Sequence, residues 1–150
     1  LFDAVSALAG VRQKVNYEGQ AAIEFEAMAD SAEAGHYVFG VESGQVRVRG
    51  VVEALIKDVM AGIPTSKISA RFHNGLAEAV RETVQKISSE TSLRSVVLSG
   101  GVWQNITLLQ KTISLLSKDG FEIYIHREVP TNDGGLSLGQ AYIAASRLRG

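Results

Sequence analysis

The sequence predicts an α/β fold: one helix-rich lobe with a small parallel sheet and an added hairpin. Two observations carry this reading. The second half of the chain alternates β-type apolar runs with helical periodicity, strand–helix–strand–helix, as a right-handed parallel crossover requires. Each strand also opens into its helix through a glycine-bearing turn, Ser99-Gly100-Gly101-Val102-Trp103-Gln104-Asn105 and Pro130-Thr131-Asn132-Asp133-Gly134-Gly135. Size fits a single lobe, because 150 residues that are 45% hydrophobic and 21% charged fill one sizeable core and not two.

Taken in order, residues 1–9 have helical periodicity and stop at Gly10, a C-cap type. A loop through Asn16 to Gly19 leads into a second helix over 20–31, rich in Ala and Glu. Residues 36–41 and 45–49 are short β-prone runs, and Glu42-Ser43-Gly44 between them predicts a hairpin. Val51, Val52, Leu55, Ile56, Val59 and Met60 repeat at helical spacing until Gly62 and Pro64. Thr65-Ser66 caps the next helix, whose buried face is Ile68, Phe72, Leu76, Val80, Val84 and Ile87. Residues 95–98 form a strand expected to be buried on both faces. A helix from Val102 presents Ile106, Leu109, Ile113 and Leu116, Gly120 ends it, and residues 121–125 are the next strand. The last helix runs over 135–148. No internal repeat, low-complexity tract or linker divides the chain.

Composition excludes several functions. Net charge is −1 and no Lys/Arg block stands out, which argues against a nucleic-acid groove. With zero cysteines the chain holds no disulfide, zinc-thiolate site or thiol nucleophile of its own, in keeping with a cytoplasmic setting. No apolar run approaches the roughly 18 residues of a membrane span, and no signal segment opens the chain. The start at Leu1, already inside an amphipathic pattern, reads as a fragment of a longer protein.

The glycine turns carry the chemistry. Both lie at the carboxyl ends of parallel strands, where open α/β sheets place ligands. Backbone N–H groups and the partial positive charge of a helix start suit an anion such as a phosphate. The Gly100-Gly101 pair therefore either cradles a phosphate or merely makes a tight turn, and it lacks the lysine of a Walker loop. Asn105, one turn on, is placed to reach a ribose or phosphate oxygen. Asp133 before Gly134-Gly135 either ligates a hard metal or caps the last helix. His126 ends a strand near it, and His73, off the apolar stripe, is expected in a solvated or cleft-lining position. Asp3 either accepts from ribose hydroxyls or serves the helix dipole as a first-turn acid. Tyr17-Glu18-Gly19-Gln20 either walls a base or ribose or is an ordinary turn. No G-x-S-x-G elbow appears.

Five segments in one order are similar to the C-terminal part of the HypF family, the carbamoyltransferases of NiFe-hydrogenase maturation. They are Leu1-Phe2-Asp3-Ala4-Val5, Tyr17-Glu18-Gly19-Gln20-Ala21-Ala22, Ala70-Arg71-Phe72-His73-Asn74, Leu98 through Asn105, and His126 through Leu136. The resemblance spans essentially the whole chain and extends more distantly to tRNA threonylcarbamoyl-transfer enzymes. It implies an actin-like, sugar-kinase-like ATPase fold of two lobes with the nucleotide between them, this chain being mostly the second lobe. It implies that a carbamoyl group passes from carbamoyl-adenylate, made from ATP and carbamoyl phosphate, to the C-terminal cysteine of a HypE-type partner. Gly100, Gly101 and Asn105 would hold phosphates and ribose, Asp3 and Gly19 the nucleoside, and Asp133 a divalent metal. The metal's two histidine ligands would belong to an HxxxH motif in the first lobe, and this chain contains none. The tRNA alternative fits less well: the chain is near neutral, carries Trp103-Gln104 where those enzymes tend to have small residues, and has Gly134-Gly135-Leu136 in place of an alanine-rich run. A partner-docking domain without catalysis is the alternative of another class.

Overall fold

The computed structural model describes residues 1–42 and 44–148. Among these residues six α-helices and four short strands follow in the order α1 (Phe2–Leu8), α2 (Gln20–Ala27), β1 (Gly40–Glu42), β2 (Gln45–Arg47), α3 (Arg49–Met60), α4 (Thr65–Thr91), β3 (Ser95–Leu98), α5 (Ile106–Lys118), β4 (Glu122–Ile125) and α6 (Leu136–Leu148). The protein is thus helix-rich with a small parallel sheet. No helix among the described residues is long and apolar enough to cross a membrane.

The core forms where the amphipathic faces of α1, α2, α3 and the first half of α4 meet. Phe72 is its centre, fully buried, with the rings of Phe2, Phe25 and Phe39 at 5.1, 5.9 and 5.9 Å in edge-to-face arrangements. Val5, Val51, Leu55 and Ile68 close around it. The extended segment before β1 lies against α4, where the Tyr37 N–H donates to Arg71 O at 3.1 Å. Only a glycine fits opposite: a β-carbon at Gly75 would sit 2.0 Å from Tyr37 O. The Arg71-Phe72-His73-Asn74 run fastens this segment. Arg71 bonds Asp58 and Glu33, Tyr37 OH donates to Asp58, and the Asn74 amide donates to the carbonyls of Glu33 and Gly35.

The hairpin is antiparallel, pairing Gly40 with Arg47 and Glu42 with Gln45; Ser43 of its turn lies outside the described residues. Further on, β3 and β4 pair in parallel from Ser95↔Glu122 to Leu98↔Ile125, with α5 as the crossover. The bidentate Arg81–Asp119 contact, 2.6 and 2.7 Å, holds the end of α5 to α4.

Several expectations change. The strand expected to be buried on both faces has only Leu98 buried, and Val97 is 69% exposed. Two strands covered by helices on one side leave the other side open among the described residues. Val97 and Tyr124, partners across the pair, point there, and α6 has Leu138, Tyr142 and Ile143 exposed with none of its side chains buried. Pro64, not Thr65 or Ser66, precedes α4, and Thr65 is its first helical residue. On α4, Ile68 and Phe72 are buried, Leu76, Val80 and Val84 are half-buried, and Ile87 is exposed, because the second half of this helix outruns the bundle. The second helix ends at Ala27 and not at residue 31. The α-helix expected from Val102 begins at Ile106, preceded by a 3₁₀ turn over Gly101–Gln104.

Candidate functional site

Both glycine turns lie at the same end of the parallel pair and are tied to each other. The Gly100 N–H donates to Thr131 O at 2.9 Å, and the Thr131 hydroxyl donates back to Gly100 O at 3.1 Å. Gly100 has φ +108° and ψ 158°, a conformation essentially confined to glycine. Gly101 faces the second turn, and a β-carbon there would stand 3.7 Å from that of Asn132. The N–H groups of Gly101 and Val102, first in the 3₁₀ turn, have no acceptor within it. Among the described residues neither has an acceptor, so both are free donors at the rim.

A recess opens on each side of the joined turns. One, of about 310 Å³, brings together Gly19 at the start of α2, Gly101 and Asn105, with Glu18 and Glu26 at its wall. The other, of about 350 Å³, gathers Ser99, Gly100, His126, Asn132 and Asp133. Five of the six residues singled out from the sequence thus line one or other of two recesses with a common turn. Asp3 is the exception, exposed on α1 one residue past Phe2, which does line the first recess. Tyr17 is also exposed, while its neighbours Glu18 and Gly19 face the recess.

Asn105 caps α5, its Oδ1 accepting from Leu108 N at 2.8 Å. Its Nδ2 donates to His73 Nε2 at 2.9 Å. His73 is fully buried, which corrects the expected solvated or cleft-lining position. The reason is that α4 is covered from two sides, by α2 and α5, so its buried surface is wider than the apolar stripe. Burial holds the imidazole below its ordinary pKa, against the opposing effect of its bond to Ser69 O. The next free donor of α5, Thr107 N–H, is taken at 2.7 Å by the Glu26 carboxylate reaching across from α2.

Two features were missed at the level of sequence. Glu26 is one; Gly19, Ala22 and Glu26 recur at helical spacing on the face of α2 that lines the recess, and that periodicity was the available signal. The other is a brace behind the recess, where Arg12 forks onto Glu24 at 2.7 and 2.6 Å and Gln20 donates to Glu24 at 2.9 Å. It holds the Glu24 carboxyl below its usual range, chiefly through the Arg12 hydrogen bond.

In the second recess His126 Nε2 and Ser99 Oγ are hydrogen-bonded at 2.8 Å, both side chains exposed. Among the described residues no three His, Asp or Glu side chains converge, so those present do not make a metal centre by themselves. Asp133 opens the 3₁₀ turn before α6, and the cap there is made by Asn132, whose Oδ1 accepts from Gly134 N at 3.1 Å. The capping alternative therefore falls to Asn132 and leaves the Asp133 carboxylate exposed.

Residues 1–140 match the family model described as the second subdomain of the Kae1-like carbamoyltransferase domain. HypF carbamoyltransferases from Synechocystis sp. and Rhizobium leguminosarum bv. viciae are 33% and 36% identical over 143 residues. Each alignment covers 93% of this chain and 18% of the relative, so the chain spans about a fifth of the length of the curated relatives it matches. A full-length HypF solved in a phosphate- and nucleotide-bound form superposes with a TM-score of 0.89 at 42% identity, covering 99% of this chain and 20% of that one. HypF of T. kodakarensis superposes at 0.85 with 27% identity, covering 99% and 19%.

Proposed function

The chain belongs to the HypF carbamoyltransferase family, as the second subdomain of the Kae1-like domain, and from that membership we propose that it forms one wall of a nucleotide cleft used for carbamoyl transfer. The observation that carries the reading is the two-way bond between Gly100 and Thr131, which joins both glycine turns into a single rim between two recesses. A solved relative described as phosphate- and nucleotide-bound supports a nucleotide as the ligand. The fold of the complete domain is, on this reading, actin-like, with a first lobe covering the apolar face formed by β3, β4 and α6. It acts in the cytoplasm.

The recesses divide the ligand by charge. Glu18 and Glu26 line the first without a basic side chain among the lining residues, which suits ribose hydroxyls and a base better than phosphates. Gly19 and Asn105 face the nucleoside there, while Asp3, exposed on α1 beside Phe2, would meet only a ligand that reaches beyond the recess. The free amides of Gly101 and Val102 face the phosphates from the rim. The substrate is carbamoyl-adenylate. A thiolate sulfur bonds to the carbamoyl carbon, negative charge gathers on the carbonyl oxygen, and collapse breaks the carbon–oxygen bond to release AMP. Donors already aimed at that oxygen lower the barrier, commonly by ~3 kcal/mol each. None of these 150 residues is a cysteine, so the thiol comes from outside them, and a HypE-type C-terminal cysteine supplies it. Asp133 is assigned as one ligand of a divalent metal whose histidine ligands lie in the first lobe.

The complete protein is incubated with labelled carbamoyl phosphate, ATP and a HypE-type acceptor. Label on the acceptor's terminal cysteine, lost with Asp133→Ala, is the expected result. Label on tRNA overturns this reading in favour of threonylcarbamoyl-type chemistry. Failure of the complete protein to bind ATP overturns the nucleotide cleft and leaves a docking module.

A further inference from the structure

The Ala70-Arg71-Phe72-His73-Asn74 segment contributes no lining residue to either recess beside the glycine turns, yet it contains a fully buried polar ring among phenylalanines. Phe25 stacks on His73 at 5.8 Å and Phe2 lies 5.5 Å away. An apolar side chain would suit that environment at lower cost, because a buried imidazole is tolerated only when its nitrogens are bonded.

Both are bonded, and the partners fix every proton. Nδ1 donates to Ser69 O at 2.8 Å, so in the neutral ring Nε2 is an acceptor. It accepts from Asn105 Nδ2, whose own orientation is set because Oδ1 must receive the Leu108 N–H. The amide plane of Asn105 is therefore held at two corners. Nδ2 carries a second hydrogen, for which no acceptor is found among the described residues, and Asn105 lines the recess shared with Gly19 and Gly101.

We propose that His73 is a positioning residue of the nucleotide site: from behind the wall it fixes the Asn105 amide so that the second Nδ2–H is presented to an acceptor oxygen of the bound nucleotide. The proposal rests on the nucleotide reading above. His73 touches no ligand and acts only through Asn105. Without it the amide keeps its cap to Leu108 but turns about that single bond, and the donor loses its direction.

ATP binding to the complete protein by calorimetry tests this, with His73→Leu, His73→Gln, Asn105→Ser and the Leu/Ser double variant. Serine keeps the cap and removes the amide. His73→Leu weakens binding about five- to tenfold, the worth of one oriented hydrogen bond. His73→Gln, whose side-chain oxygen can accept from Asn105, keeps most of the affinity. The double variant binds no worse than Asn105→Ser alone. Losses that multiply in the double variant overturn the proposal, as does wild-type affinity in a folded His73→Leu protein.

Should the leucine variant not fold, a pH series on wild type and His73→Gln decides. Glu26 on α2 and Lys111 on α5 are the charged groups facing the ring, the first favouring its cation and the second opposing it. Wild-type binding falls at a pH below the ordinary imidazole range, as Nε2 gains a proton and turns from acceptor to donor, and the glutamine variant shows no such fall. Coincident profiles overturn the proposal. ATP binding absent from the wild type would instead sink the nucleotide reading itself.

Discussion

Substituting the two central glycines separately distinguishes what each one does. At Gly100 a β-carbon meets no atom within 4 Å, so crowding contributes nothing. The cost comes from φ +108° with ψ 158°, a region that burdens any other residue by about 1–3 kcal/mol. Relaxing that strain rotates the peptide and breaks the two bonds to Thr131, each worth ~1 kcal/mol. The turn takes the cheaper of the two, so Gly100→Ala should disfavour it by roughly 1–3 kcal/mol, and Gly100→Val should add little, since volume is not the cause. At Gly101 φ lies outside the left-handed region and the nearest atom to a new methyl is 3.7 Å away. Gly101→Ala should leave the turn intact and interfere only with a ligand lying on the rim. The assay pairs amide hydrogen exchange at Gly100 with ATP calorimetry. Faster exchange at Gly100 in Gly100→Ala, with unchanged exchange but weaker ATP binding in Gly101→Ala, is the expected pattern. Equal protection in Gly100→Ala and wild type would refute the strain argument. Full ATP affinity in Gly101→Ala would refute close approach of the ligand to the rim.

Phe72→Ala should destabilise the helical bundle by about 3–5 kcal/mol, because three aromatic rings lose their common partner; urea unfolding checks it, and a loss below ~1 kcal/mol would mean the core repacks freely. Glu26→Ala should free the Thr107 N–H and cost about 0.5–2 kcal/mol, the range of a lost N-cap, with Thr107 amide exchange rising before any other site on α5. The Asp119 carboxyl is held below its ordinary pKa, first by its hydrogen bond from Arg81. Its contribution is therefore fully present above the ordinary carboxylate range and lost as pH falls through the lowered folded value. Exchange of the amides at the end of α5 should accelerate over that acid window in wild type and show a smaller step in Arg81→Ala, where the Gln85 hydrogen bond and the Arg94 charge still act on Asp119.

Periodicity made most helices legible, because the apolar faces of α1, α3 and α5 point at a core that this chain itself contains. It failed where the partner surface is elsewhere. Val97 reads as a buried strand residue by composition, yet among the described residues nothing covers its face of the sheet. His73 failed for the opposite reason: a stripe drawn through Ile68 and Phe72 is too narrow for a helix packed on two sides. The glycine turns were legible because strand-to-helix connections with paired glycines are constrained locally. Their mutual bond through Thr131 was not, since it joins residues 31 apart in sequence. Glu26 was equally hidden, its partner amide lying 81 residues away.

The helix α4 holds α5 at both ends, through His73 to Asn105 at its start and through Arg81 to Asp119 at its close. Inserting one residue between positions 73 and 81 would turn everything beyond it by about 100° and advance it by about 1.5 Å. One fastening would then face away from α5 while the other stayed in place. Length variation among relatives should consequently be absent from this stretch of α4 and from the body of α5. It should collect in the connections, such as those around residues 10–19 and 28–35, so a gap map drawn across the family would trace the clamp without any structure in hand.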